Sequence, residues 1–398
     1  MPSVPLINRM KPRSVIILGS TGSIGKSCLD VIRAHPERFV VRALAAHSNV
    51  QQLVEQFREF RPEYLCVTDQ RRAKELTSAV AGEKVRVVSG PDELVSLAGL
   101  PSADLIVNAV VGAAGLRSSL EAVRAGKTLA LANKESLVAG GPLFAPLIGK
   151  GDAKIIPIDS EHSAIWQAMT CGKRSEVRSI ILTSSGGPFR TLPAEQFQNI
   201  TVEMALAHPT WQMGAKITID SATLANKGLE VIEAVALFGL PSSKIKVVVH
   251  PQSVIHSMVE FMDSSVIAQM SRPDMRLPIT YALFWPERIE SEFGRIDWDK
   301  LGPLTFEPPD YDRFPMLRLA FEVSASGGAA PAVYNAANEI AVAAFLSRRI
   351  PFTDICEIVE RTVETTDTKN ASTIEDILAA DTAARETAER MIERIHSC

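Results

Sequence analysis

Two hydrophobic rhythms run through the first third of the chain. Short apolar runs at residues 14–18, 40–45, 64–68, 85–88, 105–108 and 128–131 read as buried strands. Amphipathic stretches at helical spacing separate them, clearest at 24–33 and 50–60, with Ser48 or Asn49 placed to cap the second. Strict alternation of strand and helix predicts an α/β unit: a Rossmann-like, doubly wound parallel sheet over residues 1–150.

The rhythm changes after residue 150. A strand-like run at 155–158 is followed by a long polar stretch, 184–214, with no periodicity. Close-spaced strands at 245–249, 254–261 and 266–270 predict an antiparallel or mixed sheet, so 151–285 reads as a central α+β domain. A polar stretch of that length inside a compact domain is expected to be a mobile lid or an insertion. Prolines without periodicity make 286–312 a linker. Helical spacing returns at 314–324, 332–348, 353–364 and 374–396, a small four-helix bundle over 313–398.

Composition narrows the class. The chain has 398 residues, more than one core usually serves, and a formal net charge of -4, which gives no general attraction to nucleic acid or acidic membrane. Cys28, Cys66, Cys171, Cys356 and Cys398 are scattered without CxxC spacing, which suits a reducing compartment. The longest nearly apolar stretch, 105–116, is interrupted by Asn108 and is too short for a bilayer. Arg9, Lys11 and Arg13 precede an apolar run that passes at once into glycines, a first strand and not a signal peptide. A cytoplasmic chain is expected.

GSTGSIG, residues 19–25, sits between the first strand and the first helix. Gly19 allows a tight turn, Gly22 lets backbone approach a pyrophosphate, and Gly25 permits close helix packing. The helix N-terminus offers free N–H groups to phosphate. The plain alternative is a glycine-rich turn. After the second strand stand His47, Ser48 and Asn49, with none of the acid that binds a ribose 2′-hydroxyl, which favours NADP. Arg42 lies three residues before Ala45.

Asp159 and Glu161 follow the 155–158 run and, in extended chain, face one side. They suit a hard divalent ion; a helix cap through Asp159 or Ser160 is the equal alternative. If a helix begins after Ser221, Asn226, Lys227 and Glu230 share a face and could hold a phosphate and a metal. A solvated Lys–Glu pair is the alternative there. Residues 184–187, SSGG, could cradle an anion, and Trp211 could close over a ligand or pack on a satellite core.

Taken together, GSTGSIG, LANKES (131–136), IDSEHSAI (158–165), LTSSGGPFR (182–190), HPTWQMG (208–214), DSATLANKGLE (220–230), HPQSVIHSMVEF (250–261) and PDMRLPI (273–279) resemble the 1-deoxy-D-xylulose 5-phosphate reductoisomerase family. They occur in family order across about two-thirds of the chain. The resemblance implies rearrangement of the sugar phosphate to an aldehyde, then reduction by NADPH to 2-C-methyl-D-erythritol 4-phosphate. It also implies a divalent metal (Mg2+, Mn2+ or Co2+), a homodimer joined through the central domain, and a step of non-mevalonate isoprenoid synthesis.

Carried over by position, Asp159, Glu161 and Glu230 look like metal ligands. Ser160, Ser185, His208, Trp211, Ser221, Asn226 and Lys227 look like substrate contacts, with Lys134 a substrate or proton-handling group. His208 also joins Lys134 and the carboxylates as a candidate catalytic group. Thr21, Gly22, Ser23 and Ile24 look like pyrophosphate contacts. Asn133 and Glu135 fall on the cofactor side, Gly214 contacts cofactor from the lid, and Met213 belongs to the lid. His47 and Ser48 stand where some members carry Gly-Lys, and 167–177 is short, which implies a trimmed surface loop. The competing readings are a metal-independent NADP dehydrogenase for a semialdehyde or hydroxy acid, and a cofactor-binding redox sensor. Neither needs three carboxylates beside a phosphate-like pocket.

Overall fold

The computed structural model describes residues 11–148, 153–211, 213–291, 293–369 and 371–396. Arg9, Gln212 and Cys398 of the sequence reading lie outside them. The first unit runs β1 (Arg13–Leu18), α1 (Ser23–Ala34), β2 (Phe39–Ala46), α2 (Val50–Phe60), β3 (Tyr64–Val67), α3 (Ala73–Ala79), β4 (Arg86–Ser89), α4 (Pro91–Ala98), β5 (Leu105–Asn108), α5 (Leu116–Arg124), β6 (Thr128–Leu131), α6 (Lys134–Phe144) and β7 (Lys154–Pro157). All seven strands pair in parallel in the order β4-β3-β2-β1-β5-β6-β7. The doubly wound sheet predicted from alternation is therefore present. Its last strand lies beyond residue 150.

The order reverses between β1 and β5, so the crevice that binds ligands in such sheets opens at the carboxyl ends of these two strands. Apolar cores form on both faces: Ile16, Ile106 and Leu129 belong to one cluster, Val15, Ile17 and Val107 to the other. The period-2 alternation of the buried strands separates these two sets.

Past β7 come α7 (Ser160–Ala168), β8 (Val177–Ser184), α8 (Val202–Leu206), α9 (Ala215–Ala222), α10 (Ala225–Phe238), β9 (Ile245–Val249), β10 (Ile255–Phe261), β11 (Val266–Met270) and α11 (Arg276–Phe284). The second sheet is mixed, β11-β10-β8-β9, with β8 parallel to β9 and antiparallel to β10. β8 was not foreseen, because its apolar run merges into the polar stretch that follows. That stretch is not structureless: it holds a 3-10 segment, Ala194–Asn199, and α8, with residues 185–193, 207–211 and 213–214 irregular around them. Residues 169–176 are two 3-10 turns with an exposed middle.

α11 returns to the first sheet. Its Ile279, Ala282, Leu283 and Phe284 join the cluster of Val15 and Ile17. The last four helices are α12 (Pro315–Ser326), α13 (Ala330–Leu346), α14 (Asp354–Thr365) and α15 (Ile374–His396), packed around α13. They hold α10 in place: the fully buried Tyr334 of α13 donates to the Met316 carbonyl of α12, at 3.1 Å, in the layer against which α10 packs. No helix among the described residues is long and apolar enough to cross a membrane.

Candidate active site

The glycine loop has the geometry its spacing requires. Gly19 has φ +87°, and a Cβ there would stand 2.5 Å from the Ala109 carbonyl oxygen. Gly25 packs against the turn itself, where a Cβ would meet the Gly19 oxygen at 2.3 Å. Ser20 Oγ donates to Gln56 Oε1 at 2.7 Å and Gln56 Nε2 donates to the Ser20 carbonyl at 2.9 Å, tying the turn to α2. Gly22 caps α1 without a side-chain hydrogen bond, and no acid occupies the first turn. The first N–H groups of α1 are thus left for an anion, and the loop fits a pyrophosphate.

The residues after β2 are more occupied than the sequence implied. Asn49 caps α2, accepting from the Gln52 N–H, and His47 Nδ1 lies 2.8 Å from Thr68 Oγ1. Ser48 keeps a free, exposed position. Arg42 points away, paired with Glu63.

Asp159, Glu161 and Glu230 converge: an oxygen from each lies within 4.8 Å of the others. The route differs from extended-chain geometry. Asp159 caps α7, accepting from the Glu161 N–H at 3.3 Å, so the cap and the carboxylate cluster are the same structure. α10 likewise begins at Ala225 and not after Ser221. Leu224 takes φ +58°, breaking the chain into α9 and α10 and turning the first residues of α10 inward. There Asn226 Nδ2 donates to Glu230 Oε1 at 2.6 Å, and Lys227 pairs with Glu230 and, at 2.9 Å, with Glu161. The pair is buried, not solvated, because α10 is enclosed on nearly every side.

Lys134, at the start of α6, completes the cluster. Its Nζ lies 2.5 Å from Asp159 Oδ2, 3.2 Å from Glu230 Oε1 and 3.0 Å from Asn226 Oδ1. Burial alone would lower the Lys134 ammonium, but Asp159, Glu230 and Glu233 hold it well above its ordinary value. Burial would raise Asp159, yet Lys134 and His162 keep it well below the carboxylate range. Glu230 is raised, by burial and by Glu161. Three carboxylates against two ammonium groups leave an excess of oxygen donors and of negative charge, which suits a hard divalent cation.

A second acidic group, Asp159, His162 and Glu233, lies behind the first. His162 Nδ1 is 3.2 Å from Asp159 Oδ1 and 3.2 Å from Glu233 Oε2, while Nε2 is 3.0 Å from the Glu230 carbonyl. Neither His162 nor Glu233 lines the cavity, so this group supports the ligands from behind.

One cavity of about 640 Å³ gathers the site. Ser23, Ile24, Lys134, Asp159, Ser160, Glu161, Ser185, His208, Trp211, Met213, Gly214, Ser221, Asn226, Lys227 and Glu230 all line it. Gly19, Thr21, Gly22, His47, Ser48, Asn49, Asn133 and Glu135 do not. Asn133 is instead buried as the cap of α6, donating to the Gly112 carbonyl at 2.8 Å, and Glu135 faces Lys216 at 3.8 Å. His208 accepts from the Thr210 and Trp211 N–H groups on Nδ1, and its Nε2 lies 3.2 Å from Ser185 Oγ. An Nδ1 that accepts two N–H groups carries no hydrogen, so the ring is neutral and Nε2 donates to the serine, and half-burial lowers the ring's pKa in the same sense. His256 was missed. It lines the cavity from β10 and lies 6.3 Å, ring to ring, from Trp211. Its sequence signals were a polar residue inside a strand's apolar run and its place within HPQSVIHSMVEF, from which no role was carried over to it.

Three family models match this chain: 1-deoxy-D-xylulose 5-phosphate reductoisomerase over residues 15–141, its C-terminal domain over 155–238, and the DXP reductoisomerase C-terminal domain over 270–387. The chain is 53% identical, over 380 residues, to 1-deoxy-D-xylulose 5-phosphate reductoisomerase of Chlorobaculum tepidum, covering 96% of this chain and 100% of that one. Its structure superposes on the Zymomonas mobilis enzyme in complex with NADPH at TM-score 0.91 and 47% identity, covering 96% of this chain and 99% of the other. A reductoisomerase in complex with NADPH, fosmidomycin and magnesium also superposes at TM-score 0.91, with 42% identity and coverage of 96% and 99%. The chain therefore belongs to the 1-deoxy-D-xylulose 5-phosphate reductoisomerase family.

Proposed function

We propose that this chain catalyses its family's reaction, the NADPH-dependent conversion of 1-deoxy-D-xylulose 5-phosphate to 2-C-methyl-D-erythritol 4-phosphate in isoprenoid synthesis. The observation that carries this reading is a single cavity lined both by the start of the dinucleotide helix, Ser23 and Ile24, and by the Asp159–Glu161–Glu230 cluster. Thr21, Gly22, Ser23 and Ile24 take the pyrophosphate of NADPH, with Asn133, Glu135 and Gly214 toward the nicotinamide half. Asp159, Glu161 and Glu230 hold the divalent ion, which when bound polarises the ketone and adjacent hydroxyl oxygens of the sugar phosphate.

Lys134 stays charged and places a proton donor beside these oxygens. Ser185, Ser221, Asn226 and Lys227 bind the phosphate and hydroxyl groups, Ser160 the substrate beside the metal. Neutral His208 orients the Ser185 hydroxyl. Trp211 and Met213 close over the ligand and exclude water. Mg2+, Mn2+ and Co2+ all meet the oxygen-ligand requirement. The same reading makes the enzyme a cytoplasmic homodimer, which sedimentation of the purified chain tests.

Purified protein is expected to consume NADPH only when the deoxyxylulose phosphate and Mg2+ or Mn2+ are both present. Turnover that persists in excess chelator would favour the metal-independent dehydrogenase instead.

A further inference from the structure

The cationic contact that the loop after β2 lacks is supplied one strand further out. We infer that Arg71 and Arg72, in the loop after β3, form the recognition wall for the 2′-phosphate of NADPH, with Ser48 opposite. This rests on the NADPH reading above.

β2 lies directly beside β1, and the N–H groups of Gly19 and Ser20 donate to the Ala45 carbonyl at 2.9 and 2.8 Å. A dinucleotide with its pyrophosphate on the glycine loop therefore extends its adenosine ribose over residues 47–49. β3 is the next strand, in register with Ala46 opposite Val67. The two outgoing loops are joined: the Thr68 N–H donates to the Ala46 carbonyl at 3.0 Å, the Asp69 N–H to the His47 carbonyl at 2.9 Å, and His47 meets Thr68 through side chains. The loop carrying the arginines cannot drift from the loop that meets the ribose. A small surface pocket lined by Ser48, Asp69, Arg71 and Arg72 lies at this junction.

Asp69 holds Arg71 in a two-point grip, Nε to Oδ1 and Nη2 to Oδ2, both at 2.9 Å. The Asp69 side chain is 11% exposed and that of Arg71 is 87% exposed. Nη1 of Arg71 stays free for a ligand, and the grip neutralises the one acid in the pocket that would repel a phosphate. Arg72 pairs with Glu75 at 3.0 Å, an exposed contact that is weak in water and readily exchanged for a phosphate. Guanidinium forks match phosphate oxygens in charge and geometry. His47 and Asn49 have their side chains committed locally, and Arg42 faces Glu63, so the other candidates near the ribose offer no free cation.

The test is direct binding of NADPH and NADH, without substrate or metal, followed by calorimetry or quenching of tryptophan fluorescence. For the Arg71→Ala/Arg72→Ala double variant the Kd for NADPH is expected to rise roughly tenfold or more, while that for NADH stays within about twofold. The salt dependence of NADPH binding should flatten as well. Arg71→Glu alone should weaken NADPH further and spare NADH. Affinities for the two nucleotides that fall in parallel, or that do not move, would overturn the assignment. If the unaltered protein binds neither nucleotide, the NADPH reading fails instead.

Discussion

Lys134 and Asp159 face each other at 2.5 Å, although one begins a helix of the first sheet and the other caps a helix beyond its last strand. Both charges are buried, and each holds the other ionised. Replacing Lys134 with Met removes one of the cavity's two ammonium groups while keeping the side-chain volume. A loss of kcat by about 100-fold or more is expected, with Mg2+ binding retained in a calorimetric titration. Normal kcat would exclude Lys134 from the chemistry.

Glu230 meets Lys134, Lys227 and Asn226 at once. Glu230→Gln keeps the shape and removes the charge. Activity should fall by a factor on the order of 100, with the Kd for NADPH nearly unchanged, because the carboxylate pairs with Lys134, Lys227 and Asn226 and with no residue of the glycine loop. A large loss of NADPH affinity would mean that the carboxylate serves the cofactor and not the metal.

His256 is buried and neutral, its pKa pushed down to about 4 by burial, with His250 and Lys227 acting the same way and the Ser271 backbone and Asp159 opposing. The folded protein thus binds this proton more weakly than the unfolded chain, whose ordinary value is 6.5. The stability it contributes is complete above pH 6.5 and is lost as pH falls toward 4, by at most about 3 kcal/mol. Melting temperatures taken down this range should fall less steeply for His256→Asn than for the parent. Superimposable profiles would place the acid sensitivity elsewhere.

Gln56 supports the glycine turn through both of its amide atoms. Gln56→Ala leaves buried polar atoms of Ser20 unpaired, at a cost of about 1–3 kcal/mol. A lower Tm together with weaker NADPH binding is the expected pair of results. Weaker stability with unchanged NADPH affinity would show that the turn keeps its shape without this support.

Much of the architecture could be read from local pattern. Each parallel strand is a short apolar run between helices, so its boundaries are visible in one window of sequence, and GSTGSIG carries its own geometry. The last four helices announced themselves by spacing. β8 and α8 did not, because a strand that continues into a polar loop and a short helix inside it have no clear period. The second sheet could be called antiparallel or mixed, but not ordered, since pairing joins residues far apart in sequence.

The site divides in the same way. The chain alone determined which residue types were available: the carboxylates Asp159, Glu161 and Glu230, the lysines Lys134 and Lys227, and a helix start ready for phosphate. Whether Asp159 was a cap or a ligand could not be decided locally, and it proved to be both placed as a cap and turned into the cluster. Only tertiary structure buried Lys227 against Glu230, closed His256 over the same cavity and set Arg71 beside Ser48. Local sequence sets backbone geometry and which groups are present, whereas burial and charge pairing depend on segments a hundred residues apart in the chain.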